Sequence, residues 1–189
     1  VSWIYAQTNA KLDDLKKLED EGLILLGEQP TWRDSLADRD FIPSVPPPLT
    51  PEQSTAWEVI EKSIREWGWG KAAPDASNRL FLLHGVTGSG KTELYLRAIE
   101  LTLAQGRNAI FLVPEIALTA QTVRRVAARF PNQTAVLHSR LSDGERYDTW
   151  RRAREGLVGV VVGARSALFT PLPNVGLVIL DEEHDQSYK

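Results

Sequence analysis

Residues 79–93 read RLFLLHGVTGSGKTE, and this stretch decides the fold. Leu80 to Leu83 form an unbroken apolar run, the pattern of a strand buried on both faces. The turn Gly85-Val86-Thr87-Gly88-Ser89-Gly90 follows, and Lys91-Thr92 open a segment with helical periodicity. The stretch satisfies the phosphate-binding pattern G-x-x-x-x-G-K-[ST] in the strand–loop–helix setting that pattern requires. Glycine permits backbone angles closed to other residues, so consecutive main-chain N–H groups can wrap an anion. Those amides and the positive end of the helix dipole suit phosphates. Lys91 offers a mobile point charge for the β- and γ-phosphates, and the Thr92 hydroxyl is a hard oxygen ligand for Mg²⁺. An ordinary glycine turn is the plain alternative, and the full set of matched positions argues against it. The stretch predicts a nucleoside triphosphate site built from Gly85, Thr87, Gly88, Ser89, Gly90, Lys91 and Thr92.

Composition sets the bounds. At 189 residues the chain can bury the core of one domain plus an extra element. Its 42% hydrophobic and 25% charged residues are those of a water-soluble globular protein. No apolar run reaches membrane-spanning length and the start does not resemble a signal peptide, so a cytoplasmic protein with no membrane partner is expected. The absence of cysteine excludes disulfides and thiolate metal sites within these residues. A net charge of −3 gives no basic field, so any nucleic-acid contact must be local. The chain starts at Val1 and stops in mid-motif after Asp181, the pattern of a piece of a longer protein.

Leu12, Leu15 and Leu18 recur at three-residue spacing, which predicts a short helix from Lys11 to Glu21 ended by Gly22. Leu23 to Leu26 then read as a strand. Helix–glycine–strand describes the end of a winged-helix domain and equally many small αβ units. From Gln29 to Leu49 the composition shifts to Asp, Ser and Pro, ending in Val45-Pro46-Pro47-Pro48, an extended spacer. The expected division is therefore a small unit over residues 1–28, a linker over 29–48, and a main domain over 49–189. Thr50-Pro51-Glu52-Gln53 carry the N-cap, first-turn proline and capping-box residue of a helix reaching about Trp67. Trp67 to Asn78 read as an exposed connection.

Beyond the phosphate loop, helices and strands alternate. Helices are expected over Lys91–Gln105, Leu118–Phe130 and Ser142–Glu155, the last with a Ser142–Glu145 capping box. Strands are expected over Ala109–Val113, Thr134–Leu137, Val158–Val162 and Val175–Leu180. Such alternation implies a parallel sheet with helices on both faces: an α/β, three-layered, P-loop fold. Arg124, Arg125 and Arg129, and separately Arg151, Arg152 and Arg154, read as solvated charged faces of their helices.

The last expected strand leads into Asp181-Glu182-Glu183-His184. Ligands gather at the carboxyl ends of strands in parallel α/β sheets, where these acids would project. An Asp after an apolar strand suits Mg²⁺, and a Glu directly after it suits a general base acting on water.

These residues resemble the DEAH-type box of superfamily 2 helicases. DEEHDQSYK (181–189), GVTGSGKTELY (85–95), VPEIALTAQT (113–122), AVLHSRLSDGER (135–146) and VVGARSALFTP (161–171) are together similar to the primosomal protein N′ (PriA) family of replication-restart DNA helicases. The resemblance covers 49–189 with high specificity and 1–26 loosely, where that family has the end of a winged-helix domain. It implies an ATP-binding, RecA-like first lobe of a 3′→5′ helicase acting on single-stranded and forked DNA in replication restart, with primosome proteins and single-strand-binding protein as partners. ATP and Mg²⁺ are the implied cofactors, and zinc belongs to a part outside these residues. Lys91 and Glu182 would be catalytic, and Thr92 and Asp181 would hold the metal. Gln53 would read the adenine edge, beside its capping-box reading. Pro114, Thr119, Gln121, Arg165 and Ser166 would touch DNA, against plainer readings of an N-cap for Thr119 and an ion pair for Arg165. His184 would couple the phosphate and DNA sides; His138 matches a family position without an evident role. The family's arginine finger lies in a second lobe outside these residues, which implies that the chain binds ATP but hydrolyses it poorly. Another NTP-driven protein, such as a branch-migrating helicase, a GTPase or a kinase, and a pure DNA-binding module are the competing readings. The lack of an N-K-x-D motif counts against a GTPase, and the complete nucleotide loop counts against the module.

Overall fold

Near-continuous runs of Val, Ile, Ala and Leu at 108–112, 134–137, 160–163 and 175–180 form four parallel strands, and their burial on two sides explains why they lack polar alternation. A computed structural model describes residues 8, 10–26, 32–33, 36, 41–42, 45–66 and 80–188. The chain divides into a unit over Val1–Thr31 and a unit over Trp32–Lys189. The connection expected over Trp67 to Asn78 lies outside the described residues.

In the first unit, α1 (Leu12–Asp20) buries Leu15, while Leu12 and Leu18 stay partly exposed. The Lys11 N–H donates to Asp14 Oδ2 at 2.9 Å, tying down the helix start. At the other end the Gly22 N–H donates to Glu19 O and the Leu23 N–H to Leu18 O, both at 2.9 Å, closing a Schellman motif. The strand expected at Leu23–Leu26 is absent. Leu23 and Leu25 are exposed, and no described strand pairs with them; the Leu26 N–H is instead met by Glu19 Oε1 at 2.9 Å.

In the second unit, α2 (Pro51–Glu66) precedes α3 (Lys91–Ala104), β1 (Asn108–Leu112), α4 (Ala120–Arg129), β2 (Thr134–Leu137), α5 (Asp143–Arg154), β3 (Val160–Gly163), a 3₁₀ turn (Arg165–Phe169), β4 (Val175–Leu180) and a second 3₁₀ turn (Gln186–Tyr188). The strand order is β2-β3-β1-β4, all parallel. Period-two side-chain alternation splits the strands between two cores. Ala109, Phe111, Val160, Val162, Val136 and Ile179 pack with Leu96 and Ile99 of α3 and with Val123 and Val126 of α4. Ile110, Leu112, Val161 and Ala135 face the other side, against Ala153 of α5 and Ala167 and Leu172 beyond β3. The result is the three-layered α/β arrangement.

Helix starts follow their caps. Thr119 Oγ1 accepts from the Thr122 N–H, so α4 begins at Ala120, two residues later than its apolar face suggests. Ser142 and Glu145 form the expected reciprocal box at α5, with N–H bonds of 2.9 and 3.3 Å. Thr50 and Gln53 do the same at α2.

The expected strand at Leu80–Leu83 is not formed. Leu80 is 85% and Leu82 77% exposed, and no described strand forms a ladder with them. A run of four apolar residues signals a demand for cover, and here no described element meets it. The described residues of the 29–48 stretch belong to the second unit and pack within it: Leu36 lies on the α3/α4 core, Trp32 lies 5.0 Å from the Arg151 guanidinium, and Pro47 O accepts from Arg97 Nη2 at 2.7 Å. Among the described residues no helix is long and apolar enough to cross a membrane.

Candidate functional site

The register of the sheet gathers the motifs. Leu137, Gly163, Leu112 and Leu180 form one row across β2, β3, β1 and β4. The ladder continues one residue further, with Ala164 N–H to Leu137 O at 3.4 Å, Val113 N–H to Gly163 O at 2.9 Å and Asp181 N–H to Leu112 O at 2.9 Å. His138, Ala164, Val113 and Asp181 therefore leave the sheet at one edge. Gly163 is needed there for space: an added Cβ would collide with Leu137 O and sit 2.8 Å from the Ala167 Cβ.

The glycine-rich loop lies at this edge. Gly88 and Gly90 adopt φ of 81° and 86°, the left-handed region. At Gly90, which is also the N-cap of α3, a Cβ would meet Gln53 Nε2. Gln53 braces the loop: its Nε2 donates to Ser89 O at 2.8 Å while its Oε1 accepts from the Thr50 N–H at 2.9 Å. One N–H and one lone pair of that carboxamide remain for another partner. Lys91 Nζ donates to Gly85 O at 2.6 Å and Val86 O at 3.2 Å, carbonyl oxygens a more basic anion would outcompete.

Thr87, Gly88, Gly90, Lys91, Thr92, Asp181 and Glu182 share a cleft of about 610 Å³, the size of a small-ligand site. The cleft fits a nucleotide with Mg²⁺: loop amides and Lys91 suit phosphate, and Thr92 and Asp181 offer two oxygens of the hard kind that Mg²⁺ takes beside phosphate and water. Among the described residues no cluster of three or more His, Cys, Asp or Glu could cage a metal alone.

Burial pushes the Asp181 carboxyl up from the usual range, and the Glu182 charge pushes the same way. A hydrogen bond from the Tyr95 hydroxyl, 3.4 Å from Asp181 Oδ1, a backbone bond and the Lys91 charge oppose them. Tyr95 is itself raised, first by burial and then by the Asp181 charge. Tyr188 donates its hydroxyl to Asp181 O at 3.1 Å and is pushed up to about 12 by burial and by the Asp181, Asp185 and Glu182 charges. Glu182 stands at φ 50°, a left-handed conformation that costs a non-glycine residue on the order of 1 kcal/mol. Its Oε2 lies 3.6 Å from His184 Nε2, and both side chains are well exposed.

The expected DNA-contacting residues divide. Gln121, Arg165 and Ser166 are exposed beyond the carboxyl ends of β1 and β3. Pro114 is fully buried, and its carbonyl accepts from the Ala117 and Leu118 N–H groups at 2.8 and 3.0 Å, a turn-forming role. Thr119 spends its hydroxyl on the α4 cap. His138, at the end of β2, is pushed below its usual value by partial burial and by Arg140, with Glu145 and Glu115 opposing.

Sequence reasoning missed Tyr95 and misread Arg129 and Arg152, of which Arg152 is buried on α5 rather than on a solvated face. Arg129 is not on a solvated face: its side chain is 4% exposed and bonds Glu100 at 2.9 Å and Glu93 at 3.5 Å. Glu93 also holds Arg97 at 3.0 Å, an i,i+4 pair that the spacing alone could have announced. The charged spread of RR-x-x-x-R carries no sign of the acids waiting on another helix.

The DEAD/DEAH box helicase family profile matches residues 50–189. The chain is 46% identical to the replication restart protein PriA of Bacillus subtilis over 97% of its own length and 22% of the relative's. It is 45% identical to PriA of Synechocystis over 93% of the chain and 20% of the relative, and 60% identical to PriA of Treponema pallidum over 59% and 17%. The chain thus spans about a fifth of the length of the curated relatives it matches. A nucleotide-sized cleft, an acidic pair at the end of β4 and a family match over the whole region that builds them agree: the chain belongs to the DEAD/DEAH box helicases, a nucleotide-binding family.

Proposed function

We propose that this chain is the ATP-binding lobe of a PriA-like 3′→5′ DNA helicase that remodels single-stranded and forked DNA in replication restart. The observation that carries the proposal is the shared exit row, which sets Asp181 and the motifs containing Gln121 and Arg165 along one sheet edge beside the glycine-rich loop. Lys91 and the loop amides bind the phosphates, with Thr92 and Asp181 as the metal's protein ligands. Bound Mg²⁺ supplies positive charge against the phosphate oxygens. Gln53 uses its remaining hydrogen-bonding capacity on the adenine edge. Glu182 accepts a proton from the attacking water, and the exposed His184 beside it carries its state toward the DNA side. Gln121, Arg165 and Ser166 hold strand phosphates, positioning without reading sequence. Pro114 and Thr119 act indirectly, by building the turn and cap that present Gln121.

The names of the relatives support replication restart as the process. Primosome proteins and single-strand-binding protein are the partners that the family resemblance implies. By itself the chain binds ATP and hydrolyses it slowly, because P-loop enzymes owe about 10³–10⁵ in rate to an arginine finger that superfamily 2 carries on its second lobe. Calorimetry with Mg²⁺-ATP tests the core of the reading: Lys91→Ala should weaken binding at least tenfold, an effect of about 1.4 kcal/mol. Steady-state ATPase of this chain and of a protein extended through a second lobe, with and without forked DNA, tests the rest. Equal turnover by the two would refute the two-lobe assignment.

A further inference from the structure

Among the described residues, the cleft carries one cation that the lobe itself leaves unused. Its ionisable wall residues are Lys91, Arg125 and Arg129 against Glu93, Asp181 and Glu182. Arg129 and Glu93 neutralise each other, with Glu100 as a further partner, and Arg129 is buried in doing so. Lys91 rests on the loop carbonyls. Arg125 is exposed, lines the cleft and has no hydrogen-bond or ion-pair partner among the described residues. Two cations then remain against two acids; removing Arg125 would leave the acids in excess around a site meant for a polyphosphate.

The packing explains why Arg125 arrives there. Arg129 is clamped between two glutamates of α3, which fixes one face of α4 on that helix. Arg125 lies one turn nearer the start of α4, on the same stripe, toward the end of the sheet where the loop and Asp181 lie. Arg124, its neighbour, is also exposed but does not line the cleft.

We propose that Arg125 is a nucleotide-contacting residue of this lobe, bringing a guanidinium from α4 to the terminal phosphate oxygens of the bound nucleotide. Guanidinium suits the task because its planar fork meets phosphate oxygens bidentately. The terminal position is inferred from Thr92, Asp181 and Glu182, which line the same cleft as Arg125 and are the metal and attacking-water residues of the proposed function. This proposal rests on the ATP reading of the cleft, and its test separates the two.

Calorimetry on the 189-residue chain with Mg²⁺-ATP and Mg²⁺-ADP would compare Arg125→Ala, Arg125→Lys, Arg124→Ala and Lys91→Ala, with thermal melts of each. Arg125→Ala should weaken ATP about tenfold, the size of one hydrogen bond to a charged group, and ADP clearly less. Arg125→Lys should recover part of the loss, Arg124→Ala should bind as the parent does, and the melting temperatures of the Arg125 variants should stay unchanged. Full ATP affinity in Arg125→Ala, with Lys91→Ala impaired, would overturn the proposal and leave the ATP reading standing. So would equal losses for ATP and ADP, or equal losses in the Arg124 and Arg125 variants. No ATP binding by the parent chain would overturn the ATP reading and the proposal together.

Discussion

Val161 and Val178 are the same residue in the same row of one sheet, each paired with Ile110 from opposite sides. Val161 is fully buried and Val178 is 41% exposed. The difference lies in what covers them. Ala153, Ala167 and Leu172 close over Val161, whereas Val178 lies on β4, the edge of the sheet among the described residues, where only Val175 at the strand's start packs against that cluster. An apolar side chain in a strand thus states what it needs, and a distant part of the chain decides whether it gets it.

The largest test of this contrast is a charge placed at each site. Val161→Asp should prevent folding, since an unpaired carboxylate in a sealed core costs upward of about 4 kcal/mol. Val178→Asp should change stability by less than about 1 kcal/mol in urea titrations, because its carboxylate reaches water. Similar losses at the two valines would break the comparison.

The charged residues offer the same contrast at smaller size. Arg129→Ala removes a buried guanidinium and strands Glu93, which keeps Arg97; about 2 kcal/mol should be lost, below the usual range for splitting a buried pair. Arg65→Ala breaks an exposed helical pair with Glu61 and should cost at most about 0.5 kcal/mol. Both are read from chemical denaturation, and equal effects would mean that burial does not set the worth of these pairs.

The α5 cap comes next. Ser142→Ala should cost about 1 kcal/mol. Hydrogen bonds from Ser142 hold the Glu145 carboxyl below the usual glutamate range. The sign follows: its contribution is complete above the unfolded value and disappears as pH falls through the lower folded value. Acid should therefore fray the start of α5, seen as faster amide exchange at 144–147 in the acidic arm only. The smallest effect is expected at Leu82→Ser, within about 0.5 kcal/mol, because Leu82 is already in water.

Periodicity and caps carried most of the fold. The Ser142–Glu145 and Thr50–Gln53 boxes are local, so their residues announce them within four positions, and the structure forms both. Val175–Leu180 is likewise a strand over the residues its apolar run spans. The strands expected at Leu23–Leu26 and Leu80–Leu83 fail for the opposite reason: a ladder needs a partner from elsewhere, and four apolar residues do not encode one. At the site, the loop residues are legible because a tight turn confines them to eight consecutive positions. Tyr95 beside Asp181, 86 positions away in sequence, is not, nor is the Arg129 clamp on α3. The left-handed backbone of Glu182 is equally silent, since nothing in an acidic run foretells it.

The exit row has a mechanical consequence. Four motifs are tied across the sheet by consecutive backbone bonds at Ala164, Val113 and Asp181, and parallel ladders do not slide without breaking such bonds in register. At about 1 kcal/mol for each bond and with the packing of two cores behind them, that edge is stiff on the scale of a single nucleotide's binding energy. If the acids and the residues proposed here to face DNA share so rigid a bar, they cannot step relative to one another. Any stroke produced at this site must appear as rotation of the whole bar against something hinged to it.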